Sequence, residues 1–329
     1  MNFIGLWNME KIKFGKTDLK ISRIGLGTLA FGHKFKGIQD KKQIFDCLNY
    51  ALDNGINLLD TAEEYAGGLT EEYIGEVFKE RGDREDAIIV TKVSHHHLSY
   101  KNVIKAANNS LKKLQTDYID VYLCHWPWAY SPISETMKAM DELLAEGKIR
   151  YVGVSNYQNA LVKEANDCLE NGEIILNEVE YNLIVRDIEK EILPFLKKEG
   201  IVPLTYCPLS SGFLTTKYDE NSTFPEKDFR NGYELFRHKE NFERSRELFA
   251  ALKEIAKNHE VSPAEVAINW TLKEKEVIPI PGAKKRSQIE SNIHATQWKM
   301  SKDEISRLND VTENLELNWE WFDRVRPKE

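Results

Sequence analysis

Short apolar runs alternate with amphipathic stretches along almost the whole chain of 329 residues. Residues 11–28 read as a β-hairpin that leads into a first strand: KIKF, a GKTD turn, then LKISRIGLG. Seven more short strands follow: Ile56–Asp60 (INLLD), Ala87–Lys92 (AIIVTK), Tyr118–His125 (YIDVYLCH), Arg150–Ser155 (RYVGVS), Ile174–Glu178 (IILNE), Val202–Tyr206 (VPLTY) and Val277–Pro281 (VIPIP). Between them the spacing of apolar positions becomes helical, for example over 41–54, 100–114, 134–146, 187–199 and 243–258. Ser301 as N-cap and Glu304 at N3 form a capping box that opens a last helix over 302–314.

Eight strand–helix repeats predict an α/β fold with a parallel sheet and helices outside it. Eight units favour closure into a (β/α)8 TIM barrel over an open sheet. No linker rich in Pro, Gly or Ser divides the chain, so a single domain is expected over residues 11–329, behind an N-terminal extension of residues 1–10. Met9 opens a more ordinary start (MEKIKFGKT), and loss of residues 1–8 is expected to leave activity intact. Two stretches exceed usual loop lengths, Ser211 to about Asn241 and the tail 315–329. Long loops in a compact domain are usually functional.

Composition narrows the partners. The formal net charge is -8, with 41% hydrophobic and 30% charged residues. A surface that tracks nucleic acid needs a basic excess or stripe, and none is present. The basic run Lys284-Lys285-Arg286 is short and suits a single phosphate. Cys47, Cys124, Cys168 and Cys207 form no CxxC pair, and their irregular spacing reads as four thiols in a reducing, cytoplasmic compartment. No stretch approaches the roughly 20 apolar residues that a membrane span needs.

The strand ends carry the chemistry. The second predicted strand ends in Asp60, with Tyr65 five residues on; the third ends in Lys92, the fourth in His125, and the fifth in Ser155-Asn156. In a barrel all of these converge at the carboxyl face. Taken singly, each has a plain structural reading as a helix-entry cap, a solvated lysine or a packed aromatic neighbour of Trp126. Four together at successive strand ends form a proton-transfer set. A lysine ammonium about 4 Å from a tyrosine hydroxyl is worth roughly 4 kcal/mol at an effective dielectric of ~20, about three pKa units toward phenolate. Lys92 is therefore expected to lower the pKa of Tyr65, with Asp60 as its counter-charge and His125 orienting a carbonyl. Nothing in the set supplies a hydride, so a cofactor is implied.

The motifs LDTAEEY (59–65), TK (91–92), DYIDVYLCHWP (117–127), VGVSN (152–156), EYNLIVR (180–186), YCPLSSGFLT (206–215) and IPGAKKRSQIESN (280–292) resemble those of the aldo-keto reductase superfamily. The likeness runs from about Lys11 to Leu315, and within the superfamily it is to bacterial general aldehyde reductases. It implies an oxidoreductase that reduces aldehydes or ketones by hydride transfer from NADPH, without metal. Asp60, Tyr65, Lys92 and His125 would be its catalytic tetrad, with Tyr65 as proton donor. By the same resemblance Ser155 and Asn156 would hold the nicotinamide carboxamide, and Tyr206 would stack on the ring. Leu209, Ser210 and Gly212 would receive the pyrophosphate. Gly282, Lys284, Gln288 and Asn292 would take the adenosine phosphate and adenine, with Gly27 and Thr28 near the first strand. Glu178 stands where the family usually has glutamine beside the carboxamide; a carboxylate accepts from an amide but donates only when protonated. Gln288 stands where many NADP-preferring members place arginine. NADP(H) preference then leans on Lys284, helped by Lys285 or Arg286, with NAD(H) as a weaker cofactor.

Other signals have plainer readings. GLGTLA (25–30), with Asp46, fits a dinucleotide fingerprint, but Phe31-Gly32-His33 open no helix, so a Rossmann unit is rejected. His95-His96-His97 read as loop residues at the barrel mouth and not as a metal site. Phe31, Trp126, Trp319 and Trp321 are expected to wall the substrate pocket, the last two with Phe322 in a tail that folds over the mouth. Ala66 is expected to leave room beside Tyr65. FPEKDFR (224–230) resembles a loop that clasps the cofactor. The expected partner is a small carbonyl substrate. The alternative class is an NADP-binding regulatory subunit with little turnover, like the β-subunits of potassium channels.

Overall fold

The computed structural model describes residues 9–32, 40–128, 130–226 and 228–318. β1 (Lys11–Lys13) and β2 (Lys20–Ser22) pair antiparallel as the expected hairpin. Eight strands then run parallel and in sequence order: β3 (Leu26–Gly27), β4 (Leu58–Asp60), β5 (Ile88–Val93), β6 (Ile119–Cys124), β7 (Ile149–Ser155), β8 (Ile174–Glu180), β9 (Val202–Tyr206) and β10 (Ile278–Pro279). The first and last strands meet through a parallel bridge between Gly27 and Gly282 and through Gly25 N donating to Pro279 O at 3.0 Å. The sheet curls into a (β/α)8 barrel. Gly27 is required at this seam, because a Cβ there would lie 2.8 Å from the Ile280 carbonyl oxygen.

Apolar side chains fill the barrel in three groups. Phe14, Leu19 and Ile21 from the hairpin pack with Leu58, Ile88, Val121, Ile175, Val202 and Ile278 from the strands. The hairpin thus plugs the amino-terminal end and leaves the carboxyl end to the polar residues. Outside, one apolar layer joins the first strands to helices such as Lys41–Asp53, Leu69–Arg81, Tyr100–Leu114 and Ile133–Ala145. A second layer joins β8 and the segment before β10 to helices Arg246–Asn258, Pro263–Thr271 and Lys302–Glu313.

Two predicted helices are divided. The 187–199 stretch is a 3-10 turn, Asp187–Glu189, followed by a helix over Ile192–Glu199. Pro194 explains the restart: without an N–H it is tolerated in a first turn, where no donor is needed. The 243–258 stretch breaks at buried Ser245, between helices Lys239–Arg244 and Arg246–Asn258. The Ser301/Glu304 capping box forms as predicted. No helix among the described residues is long and apolar enough to cross a membrane.

Candidate active site

Four strand ends and one sharp turn assemble the site. Asp60 closes β4, and Thr28 fixes it from the neighbouring strand: both the Thr28 N–H and its hydroxyl donate to the Asp60 carbonyl, at 2.9 and 2.8 Å. The chain turns after Tyr65 through three left-handed residues, Ala66, Gly67 and Gly68. The glycines meet this demand without strain; Ala66 accepts a conformation that L side chains rarely adopt. Lys92 lies near the end of β5 with no solvent exposure. Its ammonium pairs with Asp60 and donates to the Thr61 carbonyl at 3.0 Å and the Tyr65 hydroxyl at 3.3 Å. Glu178 Oε2, at the register position facing Ser155 on β7, is 3.2 Å from the same nitrogen.

His125 follows β6 and is held by its N–H to Val93 O at 2.9 Å. Its ring meets the Tyr65 ring edge-on, with centroids 5.8 Å apart. Its Nδ1 lies 2.9 Å from Glu64 Oε2, an ion-pair distance off the line of a good hydrogen bond. Glu64 Oε1 accepts from the Ser94 hydroxyl at 3.0 Å.

The electrostatics correct one expectation. Burial raises the Tyr65 pKa above the ordinary phenol value; Lys92 pulls it down, while Asp60 and Glu178 push it back up. Burial is the largest cause and outweighs the lysine's pull. Tyr65 is itself only partly buried, so solvent in the cleft moderates the push, but the net direction is up. Burial opposes the Lys92 charge, yet Asp60 and Glu178 outweigh it and hold the ammonium firmly protonated. Burial, then Asp60, pushes Glu178 up to about 8. Glu64 is drawn down to about 2, mainly by His125. Burial lowers His125, and Glu64 opposes that shift.

Polar residues continue from this group along the carboxyl ends of β7 to β10. Asn156, in a left-handed conformation, donates to the His125 carbonyl at 3.3 Å and to Ser155 Oγ at 2.9 Å, and its Oδ1 accepts from the Tyr206 hydroxyl at 2.9 Å. Ser155 Oγ donates to the Glu178 carbonyl at 3.1 Å. After β9, Ser210, Ser211 and Gly212 all take positive φ. Next to β10, the Lys284 N–H donates to Gln288 Oε1 at 2.7 Å, and Asn292 is buried on the helix Arg286–His294. Arg286 stacks on Tyr50 instead, 3.9 Å from the ring centroid.

The Aldo/keto reductase family model matches residues 23–313. The chain belongs to that family. It is 35% identical over 316 residues to the aldo-keto reductase YhdN of Bacillus subtilis, which covers 93% of this chain and 94% of that one. It is 32% identical to a probable voltage-gated potassium channel subunit beta of Arabidopsis thaliana (87% and 91% covered) and 30% to an NADH-specific methylglyoxal reductase of Escherichia coli (94% and 100%). Among solved structures, a thermostable aldo-keto reductase in complex with the inhibitor epalrestat superposes with a TM-score of 0.76 at 33% identity, covering 92% of this chain and all of that one. An aldo/keto reductase of Klebsiella pneumoniae in complex with NADP and acetate gives 0.76 at 28% identity (92% and 95%). Membership of this family supports an oxidoreductase acting on small molecules.

The cleft fits a nicotinamide dinucleotide on its own features. The Ser210 hydroxyl is buried without a hydrogen-bond partner, an orphan that a pyrophosphate oxygen would satisfy. The adenosine end would meet the first turn of the Arg286–His294 helix, where N–H groups and the helix dipole favour a phosphate.

The remaining residues are placed as follows. Glu64 was not singled out, since its contact with His125 links segments 61 residues apart in sequence. Phe31, expected in the pocket wall, is buried in the outer core, and Trp126 is partly buried. Trp319, Trp321 and Phe322 lie outside the described residues. His95–His97 form a 3-10 turn in which His95 and His96 stack at 3.8 Å and His97 pairs with Glu63 at 2.9 Å. No group of three or more His, Cys, Asp and Glu among the described residues is arranged to hold a metal. Arg230 fastens the FPEKDFR loop: it pairs with Asp228 at 2.7 Å, donates to the Tyr218 hydroxyl at 2.7 Å and lies 4.2 Å from the Phe224 ring centroid.

Proposed function

We propose that this protein is an NADPH-dependent carbonyl reductase in which Tyr65 gives the proton. The observation that carries the reading is the buried Lys92 ammonium, shared between Asp60 and the Tyr65 hydroxyl at the carboxyl end of the barrel, with His125 on the other side of Tyr65. When bound, the cofactor supplies the hydride. The chain's own residues bind, orient and move the proton. Asn156 and Ser155 would hold the carboxamide, and Tyr206 would lie against the ring. His125 polarises the substrate oxygen, and Tyr65 protonates it as negative charge builds there. Lys92 then faces the new phenolate, which burial alone would strongly disfavour. Its counter-charge Asp60 keeps the lysine protonated throughout the cycle.

Lys284 carries the preference for a 2′-phosphate, with Lys285 beside it; NADH serves more weakly. The proposed compartment is the cytoplasm. The test is loss of NADPH absorbance with a panel of small and aromatic aldehydes, including methylglyoxal, with NADH in parallel. Aldehyde-dependent oxidation that favours NADPH supports the reading.

A second reading is favoured by the likeness to potassium channel β-subunits: a nicotinamide-binding regulatory subunit. Its signature is tight, slowly exchanging NADPH with negligible turnover on every aldehyde of the panel. Turnover on any of them excludes it.

A further inference from the structure

The protons around Lys92 do not suffice for the oxygens that face it. An ammonium has three N–H donors. On Lys92 they go to Asp60, the Thr61 carbonyl and the Tyr65 hydroxyl. Glu178 Oε2, at 3.2 Å, is a fourth oxygen around three protons, and it is buried with no hydrogen-bond partner. An ionised carboxylate oxygen buried without a hydrogen-bond donor is strongly disfavoured. Glu178 is also within hydrogen-bonding reach of Asp60. Two ionised carboxylates sharing one site repel, and the single positive charge of Lys92 offsets only one of them.

Lys92 is the cation beside Glu178, while His125 interacts with Asp60 and Lys92. Asp60 faces Glu178 from β4, Lys92 from β5, Tyr65 from the turn and Tyr206 from β9. Ser155 at the end of β7 and Asn156 just after it are uncharged, and Glu180, two residues along β8, is a second buried acid. The arrangement closes if Glu178 brings its own proton.

We propose that Glu178 is a neutral carboxylic acid at pH 7, bonded to Asp60 in the cofactor-free protein and free to turn its O–H to the carboxamide oxygen of a bound nicotinamide, so that cofactor binding requires this proton. The inference rests on the reductase reading above for the place of the nicotinamide. It adds a role that a glutamine could not play: cofactor affinity here carries a pH dependence written into the carboxamide site. Protonation makes the side chain donor and acceptor at once, as an amide is. The raised pKa of Glu178 agrees with this state, and the proton count itself stands on the contacts around Lys92.

The test compares wild type with Glu178→Gln, which is isosteric and keeps a donor but does not titrate. NADPH affinity is measured by fluorescence titration from about pH 7 to about pH 9.5, with no substrate present. The wild-type Kd rises about tenfold or more across this range, while that of the variant changes by less than about twofold from this source. Calorimetry in two buffers of different ionisation enthalpy, near the upper end, reads the uptake of close to one proton by wild type and almost none by the variant. A wild-type Kd flat in pH, or one that rises equally in both proteins, overturns the proposal. Failure of wild type to bind NADPH near pH 7 overturns the reductase reading itself, and this proposal with it.

Discussion

Replacing Glu64 by glutamine tests how His125 carries its proton. With Glu64 at Nδ1, that nitrogen holds a proton; a neutral ring then has only a lone pair at Nε2 and cannot donate to a carbonyl oxygen. Donation from Nε2 while Nδ1–H faces Glu64 requires the imidazolium. At 2.9 Å the charge pair is worth about 6 kcal/mol at an effective dielectric of 20 and about 1.4 kcal/mol in water. The Glu64 side chain is 38% exposed, so solvent screening brings the figure toward the lower end, roughly 1.5–3 kcal/mol or one to two pKa units. The sign follows from the opposing causes. Burial lowers His125, Glu64 raises it, and Lys92 lowers it. Removing the Glu64 charge therefore lowers it further. Aldehyde reduction is retained below the His125 pKa and lost as pH rises through it, so Glu64→Gln moves that limb of kcat/KM to lower pH by about one to two units. Glutamine retains an oxygen for the Ser94 hydroxyl, so folding is preserved. The assay is NADPH oxidation with one aldehyde from about pH 5 to 9, with the His125 ring followed by NMR in the cofactor-free protein. A limb that stays in place or moves up, or an imidazole signal that titrates at an unchanged pH, refutes the reasoning.

Tyr65→Phe removes the proton donor and leaves the cleft lining: kcat falls by about 10²–10⁴-fold, while NADPH affinity by fluorescence stays within a few-fold. A near-normal kcat sinks the role. Lys284→Glu raises the KM for NADPH far more than that for NADH; equal effects on both would remove the 2′-phosphate role. Gly27→Ala forces a Cβ to 2.8 Å from the Ile280 carbonyl oxygen at the barrel seam, and backbone cannot yield there cheaply. It lowers unfolding stability by about 1–3 kcal/mol in a denaturant titration, and an unchanged midpoint would mean the seam is looser than the bridge implies.

The fold was legible because the barrel repeats one unit. Each strand is a short apolar run and each helix has its own period, so eight repeats survive errors of a residue or two at their ends. Ile56–Asp60 was read two residues early, and 187–199 was read through its break, because periodicity does not register where Pro194 forces a new first turn. The strand-end residues were legible for the same reason: position in the repeat puts Asp60, Lys92 and His125 at one face. Contacts across repeats were not. Glu64 and His125 meet only when the turn after β4 and the end of β6 are brought together, and Arg230 finds Asp228, Tyr218 and Phe224 within a loop that has no period at all.

The sign of the Tyr65 shift shows where pairwise reasoning from sequence stops. The lysine–tyrosine attraction was sound as a pair, and its sign is preserved in the structure, where Lys92 does pull Tyr65 down. What the pair leaves out is burial, which outweighs the lysine's pull. Glu178, read from sequence only as a cofactor contact, shares the ammonium with Asp60, and burial then governs the tyrosine. A tyrosine whose pKa is raised is a reluctant acid in the resting cleft. It gives its proton only as negative charge develops on the substrate oxygen beside it.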